Sequence, residues 1–150
     1  MEVKFYDKVE DSLLKFTVIL AKYQGKWVFC KHKERDTYEI PGGHRETGED
    51  ILWAAKRELM EETGALDFDI SPMCAYSVTG KTRVSEREDE KSFGMIYTAD
   101  IREFEKELHS EMEKIIITKE LPDYWTYPFI YPRIFEEAQK RNSITMKNQN

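Results

Sequence analysis

Alternating apolar and polar positions divide the chain into short extended segments on either side of one strongly helical stretch. Residues 3–6 read as a short strand and 7–11 as a polar turn. Residues 13–23 (LLKFTVILAKY) are rich in β-branched and aromatic side chains. Gln24-Gly25 turns them into 26–32 (KWVFCKH), which predicts a hairpin. The charged stretch 31–37 reads as a loop before a short strand at 38–40. Pro41 stops that strand, and Gly42-Gly43 predicts a tight turn whose carbonyl can reach a cation. Past the helical stretch, residues 66–79 (LDFDISPMCAYSVT) alternate well enough for one or two strands, interrupted near Ser71-Pro72. Residues 80–91 (GKTRVSEREDEK) read as a charged hairpin loop, 92–101 as a strand, and 102–110 as a short helix or charged loop. Three isoleucines and a threonine run together in 112–119 (MEKIIITK), a further strand. Pro122 and Pro128 punctuate the next segment, and 131–141 predicts a helix with Pro132 at a tolerated early position. Strands before and after one central helix, with a second helix at the end, predict an α/β domain: a mixed sheet covered by helices on both faces. Residues 1–142 are expected to form this single domain, and 143–150 a disordered polar tail.

The helical stretch carries the chemistry. Residues 54–63 are strong helix formers, Asp50 stands where a helix-starting cap belongs, and Gly64 where a helix-ending one does. Leu52, Ala55 and Leu59 recur at helical spacing and predict an apolar seat. Glu58, Glu61 and Glu62 fall within an arc of about 100° on one face. Glu58 and Glu62 are like charges one turn apart, partly relieved by Arg57 one turn before Glu61. A divalent cation converts that repulsion into coordination, and an all-oxygen ligand set suits Mg²⁺, with Mn²⁺ as a substitute.

Composition narrows the class. The chain has 150 residues, 40% hydrophobic and 35% charged, which describes one globular domain. A net charge of −6 argues against a partner such as a nucleic-acid polymer, which needs a basic face, but not against a nucleotide carried on a metal. No apolar run approaches the length of a membrane span and the first residues carry no leader pattern, so a cytoplasmic protein is expected. Cys30 and Cys74 are far apart and lie in apolar segments, as buried free thiols do. His32, His44 and His109 show no metal-ligand spacing. Lys31, Lys33 and Arg35 alternate and are candidates for meeting phosphate oxygens from one face. Residues 124–131 (YWTYPFIY), led by Tyr124 and Trp125, offer aromatic surface either to the core or to a stacked base.

From Gly43 the chain reads Gly-x5-Glu-x7-Arg-Glu-Leu-x-Glu-Glu-x-Gly-Ala, ending at Ala65. This resembles the Nudix box at every fixed position, with Ala65 a small occupant of its last, aliphatic slot. Chance agreement at seven fixed positions is on the order of one in 10^8 starting points. The resemblance covers residues 43–65 and implies a Nudix α/β/α sandwich with a mixed β-sheet and a box helix over about residues 50–63.

It further implies Mg²⁺-dependent hydrolysis of a phosphoanhydride bond in a nucleoside diphosphate linked to another moiety. Carried over residue by residue, Glu61 and Glu62 are metal ligands together with the Gly43 carbonyl. Glu58 is the general base or an additional ligand, Arg57 orients the glutamates, and Glu49 helps bind metal or braces the turn. Among these, Glu58, Arg57 and Glu61 form the expected catalytic set. A further acidic ligand outside the box is expected at Glu111, with Glu113 and Glu88 as competitors. Small size and the segment Glu120-Leu121-Pro122 are similar to the MutT-like nucleoside triphosphate pyrophosphohydrolases, some of which act on oxidised purines such as 8-oxo-dGTP. The alternatives are hydrolysis of ADP-ribose or a dinucleoside polyphosphate, RNA cap removal, and a non-catalytic nucleotide sensor. Retention of Glu49, Glu58, Glu61 and Glu62 favours turnover over sensing. The expected partner is a nucleotide, with no membrane, and the expected assembly a monomer or homodimer.

Overall fold

A computed structural model describes the backbone of residues 2–80, 90–106 and 112–149, and their side chains except those of 112–114 and 143–149. The described residues form one eight-stranded mixed sheet with two long helices. The strands are β1 (Glu2–Tyr6), β2 (Leu14–Tyr23), β3 (Lys26–His32), β4 (Tyr38–Glu39), β5 (Gly42–His44), β6 (Ala65–Thr79), β7 (Lys91–Phe104) and β8 (Met112–Thr118). The helices are α1 (Ile51–Thr63) and α2 (Tyr131–Gln149). Along the main path the order is β1-β6-β7-β2-β3-β4, with β5 on β2 and β8 on β3. Only β2 and β7 run parallel; every other pairing is antiparallel.

Alternation along the strands sorts the side chains between two layers. On one face Val18, Leu20, Phe29, Tyr76, Val78 and Ile96 pack under Ile134, Phe135 and Ala138 of α2. On the other, Ile19, Ala21, Val28, Tyr97 and Ile101 pack under Ala55 and Leu59 of α1. Consecutive β2 residues thus serve opposite helices, as a strand buried on both faces requires. Leu59 and Phe29 are at most 1% exposed, and burial of a side chain of that size contributes about 1.5–3 kcal/mol. Cys30 and Cys74 are buried free thiols, as expected.

One topological feature sets up the site. Strands β2 and β3 pair only near their hairpin, from Tyr23↔Lys26 to Ala21↔Val28, and then diverge. The chain from Tyr38 to His44 enters the fork: β4 takes up the pairing with β3, and β5 takes up the pairing with β2. The Pro41 carbonyl accepts the Ile19 amide at 2.8 Å between them. Gly42-Gly43 is therefore strand, not the tight turn its two glycines predict. The glycines answer to closeness instead, since a Cβ on Gly42 would run into the Thr17 carbonyl.

Other boundaries move for local reasons. Strand β6 runs unbroken through Ser71-Pro72, and the predicted interruption survives as a register shift between Pro72 and Cys74. Pro72 sits where β1 is not paired with β6, so its missing N–H costs no ladder bond on that side. Residues 102–104, predicted as helix or loop, extend β7 because Glu103 and Phe104 pair with the start of β6. The helix predicted over 131–141 continues to Gln149, since no Gly or Pro comes after it to stop it. Most of the loop predicted over 80–91 lies outside the described residues.

Candidate active site

Helix α1 begins and ends as its sequence dictates. The Asp50 Oδ1 accepts the amides of Leu52 (2.9 Å) and Trp53 (3.3 Å), and Gly64, at φ 76°, closes the other end by donating its amide to the Met60 carbonyl. With α1 seated on β2 and β5, its carboxylate face looks at the strand that enters the fork.

Arg57 is the hub of that face. Its Nε and Nη2 grip both oxygens of Glu49 at 2.7 and 3.0 Å, Nη1 donates to Glu58 at 2.9 Å and Glu61 at 3.4 Å, and Nη2 also reaches the His44 carbonyl at 3.0 Å. A bidentate guanidinium of this kind is rigid as well as strong. It holds the Glu49 carboxyl down to about 2, helped by the Glu46 amide that donates to Glu49. Both Glu49 oxygens are thus engaged by Arg57.

Glu62 lies deeper. Its Oε2 accepts the Gly42 amide at 3.0 Å, and the Cys30 thiol stands 3.8 Å away. Burial first, then the charges of Glu58 and Glu39, push its pKa well above the ordinary glutamate value despite the Gly42 amide. Glu58 is raised too, by burial and by Glu61, against the pull of Arg57. The charge of Glu58 beside Glu62 adds to the rise at Glu62, so the cluster resists carrying all its negative charges bare. Glu61 is 56% exposed and Glu58 13%, so the cluster runs from solvent into the protein. Gly43 is fitted against it: a Cβ there would come within 2.5 Å of the Glu58 carboxylate.

A cavity opens on the α2 side of the same segment. Phe16, Tyr76, Tyr127 and Tyr131 supply rings to its wall, and Glu39, Gly42 and Gly43 close the end nearest α1. Phe16 and Tyr76 meet edge to face at 5.4 Å, and Tyr127 and Tyr131 likewise. Gly94 makes room for this wall, because a side chain there would run into the Phe16 ring. Sequence reasoning missed Phe16, Tyr76 and Glu39, whereas Tyr127 and Tyr131 lie in the aromatic stretch 124–131 that it singled out. Phe16 and Tyr76 sit on strands remote in sequence, and only the sheet register brings them together.

The other expected substrate residues lie elsewhere. The β3 alternation ends at His32, so Lys31, Lys33 and Arg35 do not share one strand face; a turn comes next, and Arg35 pairs with Glu39 at 3.4 Å. Trp125 is spent on the core, edge-on to Phe29 at 5.1 Å and stacked on Phe135 at 5.8 Å. Tyr124 is 72% exposed, and neither ring lines the cavity. Glu111 and Glu88 lie outside the described residues, and Glu113 lies on β8 without a described side chain.

A family model described as the NUDIX domain matches residues 13–125. The chain belongs to the Nudix family. Among its relatives, a Bacillus subtilis (strain 168) protein with the provisional name 8-oxo-dGTP diphosphatase YtkD is 32% identical over 124 residues, 82% of this chain and 73% of that protein. The solved Bacillus subtilis pyrophosphohydrolase BsRppH superposes with a TM-score of 0.74 at 26% identity, covering 93% of this chain and 90% of that one. The ADP-ribose complex of the NUDIX domain of Shewanella oneidensis NrtR superposes at 0.64 with 14% identity over 85% and 87% of the two chains, a likeness of fold. The chain is a Nudix hydrolase with the mixed-sheet sandwich of that family. No described helix is long and apolar enough to cross a membrane.

Proposed function

We propose that this Nudix hydrolase releases pyrophosphate from a purine nucleoside triphosphate in a Mg²⁺-dependent reaction, an oxidised purine such as that of 8-oxo-dGTP included. The observation that carries the reading is the continuity of two surfaces. Gly43 belongs to the wall of the aromatic cavity and also touches Glu58, so a nucleotide with its base among Phe16, Tyr76 and Tyr127 has its phosphates beside the box glutamates. The name of the Bacillus subtilis relative points the same way.

The side chains fit a divalent cation. Among the described residues no three acidic, histidine or cysteine side chains form a ready-made cage. Mg²⁺ does not need one, since it takes one or two carboxylates and completes its shell with water and phosphate. Glu58 and Glu62, both held above the ordinary glutamate pKa by burial and by neighbouring carboxylates, gain from a positive charge placed beside them. Glu58, Glu61 and Glu62, with the Gly43 carbonyl, would hold the ion. Bound there, it supplies neutralisation of phosphate charge and a more acidic water. Arg57 keeps Glu58 and Glu61 from splaying, with its own position fixed by Glu49 and the His44 carbonyl. Glu58, largely buried and with its pKa raised above that of an exposed glutamate, is the stronger base for it and accepts the proton of the attacking water. The rings of the cavity exclude solvent around the base and fix the nucleotide's orientation.

The test is a product assay over nucleoside triphosphates, oxidised purine triphosphates, ADP-ribose and dinucleoside polyphosphates, with Mg²⁺ and Mn²⁺. Pyrophosphate and nucleoside monophosphate are expected from purine triphosphates, with the rate lowered about 100-fold or more in Glu58→Gln. Turnover confined to ADP-ribose or dinucleotides, or binding without turnover, would overturn the reading.

A further inference from the structure

Beside the carboxylate cluster lies a thiol to which the hydrolytic reading gives no task. Cys30 sits on β3 where that strand pairs with β4, and it is completely buried. Phe29 belongs to the α2 layer and Val28 to the α1 layer, so the alternation of the strand turns Cys30 to α1. Its sulfur lies 3.8 Å from the Glu62 Oε2 and 3.6 Å from the Glu39 carbonyl oxygen. A thiol has a single hydrogen to give, and an ionised carboxylate is a stronger acceptor than a carbonyl. Burial, then the charges of Glu62 and Glu39, push the thiol well above its ordinary pKa, so it remains a donor and adds no negative charge to the cluster. The Gly42 amide donates to the same Oε2 at 3.0 Å. Donors from β3 and β5 thus meet on one oxygen of Glu62.

We infer that Cys30 is a positioning residue of the metal site: its thiol and the Gly42 amide hold Glu62 by Oε2 and leave Oε1 to the cation. The inference rests on the metal role proposed for Glu62 and adds what keeps that ligand in place. Arg57 gives Glu62 no such hold, since its donors go to Glu49, Glu58, Glu61 and the His44 carbonyl. The cluster is therefore oriented from two sides, by the guanidinium toward solvent and by thiol and amide toward the core. A ligand fixed before the cation arrives loses less freedom when it binds, and hydrogen-bond partners of metal ligands raise affinity in this way. Gly42 donates through its backbone, so the thiol is the half of the grip that a side-chain replacement can remove.

The test measures Mg²⁺ binding to the full chain without nucleotide, from the rise of the melting temperature with Mg²⁺ concentration. Cys30→Ala shrinks the side chain and Cys30→Val enlarges it, and neither donates. Both are expected to need about tenfold more Mg²⁺ for the half-maximal rise, the lower end of what losing a ligand's hydrogen-bond partner costs. In turnover both should raise the Mg²⁺ requirement and leave KM for nucleotide at saturating Mg²⁺ unchanged. Glu62→Gln weakens Mg²⁺ binding by itself, and adding Cys30→Ala to it should cost nothing more, because the thiol acts through Glu62. A wild-type Mg²⁺ response in either Cys30 variant would overturn the inference. So would a loss from Cys30→Ala that is just as large on the Glu62→Gln background, which would mark an effect of packing. A wild-type Mg²⁺ response in Glu62→Gln would instead remove the ligand role of Glu62, so failure of the inference and failure of the metal reading beneath it are told apart.

Discussion

At the scale of the residue, the site is a single arginine holding three glutamates, with a glycine fitted against one of them. Glu49, Glu58 and Glu61 each contact Arg57, and the order of approach is visible in the distances, 2.7, 2.9 and 3.4 Å. The residue types and the i,i+4 relation of Arg57 to Glu61 were legible in the sequence; the bidentate grip on Glu49 was not, since it depends on how the turn before α1 folds back. Gly43 shows the same limit. Its sequence context predicts a turn, whereas its constraint in the fold is contact with Glu58. Gly43→Ala is therefore expected to push the Glu58 carboxylate aside and lower kcat about 100-fold, with KM for nucleotide little changed. Steady-state kinetics on a variant with a wild-type circular dichroism spectrum checks this; unchanged kcat would show that the close contact is dispensable.

At the scale of the element, α1 is self-specifying. It has an acidic cap whose Oδ1 takes two amides, an αL glycine at its end, and a buried seat of Ile51, Ala54, Ala55 and Leu59. Asp50→Ala removes the cap and should destabilise the protein by about 1 kcal/mol, lowering the melting temperature by about 3 °C. Asp50→Asn, which keeps an acceptor, should cost only a fraction of that. Urea titrations of both variants check the pair of values, and equal losses would argue that charge rather than the hydrogen bond does the capping. The β2–β3 hairpin and β8 were equally readable, because alternation and β-branched runs are local. Strand β5 was not readable, because it exists only where β2 and β3 part company.

At the scale of the molecule, the carboxylate cluster couples metal, pH and stability. Glu62 and Glu58 have folded pKa values raised above the usual 4.5. A raised carboxyl stabilises the fold fully below its unfolded value and loses that contribution as pH rises through the folded value. The metal-free protein should accordingly lose stability from about pH 5 upward, and Glu62→Gln should flatten the slope. Added Mg²⁺ should offset the loss, because binding to the native state alone stabilises it. Thermal melts with chelator and with Mg²⁺ across that range check the sign, and a metal-free melting temperature that climbs with pH would contradict it.

The sequence by itself determined the family, the helix that carries the chemistry and the identity of the box side chains. All of these come from spacing within one continuous stretch, where helical periodicity fixes geometry. Its alternation also sorted most strands, and their order led to the mixed sheet with helices on both faces. Only the tertiary structure decided what surrounds that helix. The fork between β2 and β3 delivers Gly42 and Gly43 to Glu62 and Glu58, and the β2–β7–β6 register brings Phe16 beside Tyr76. Trp125 goes to the core for the same reason. Long-range pairing depends on which strands meet across the sheet, and no local pattern of residues encodes that partner.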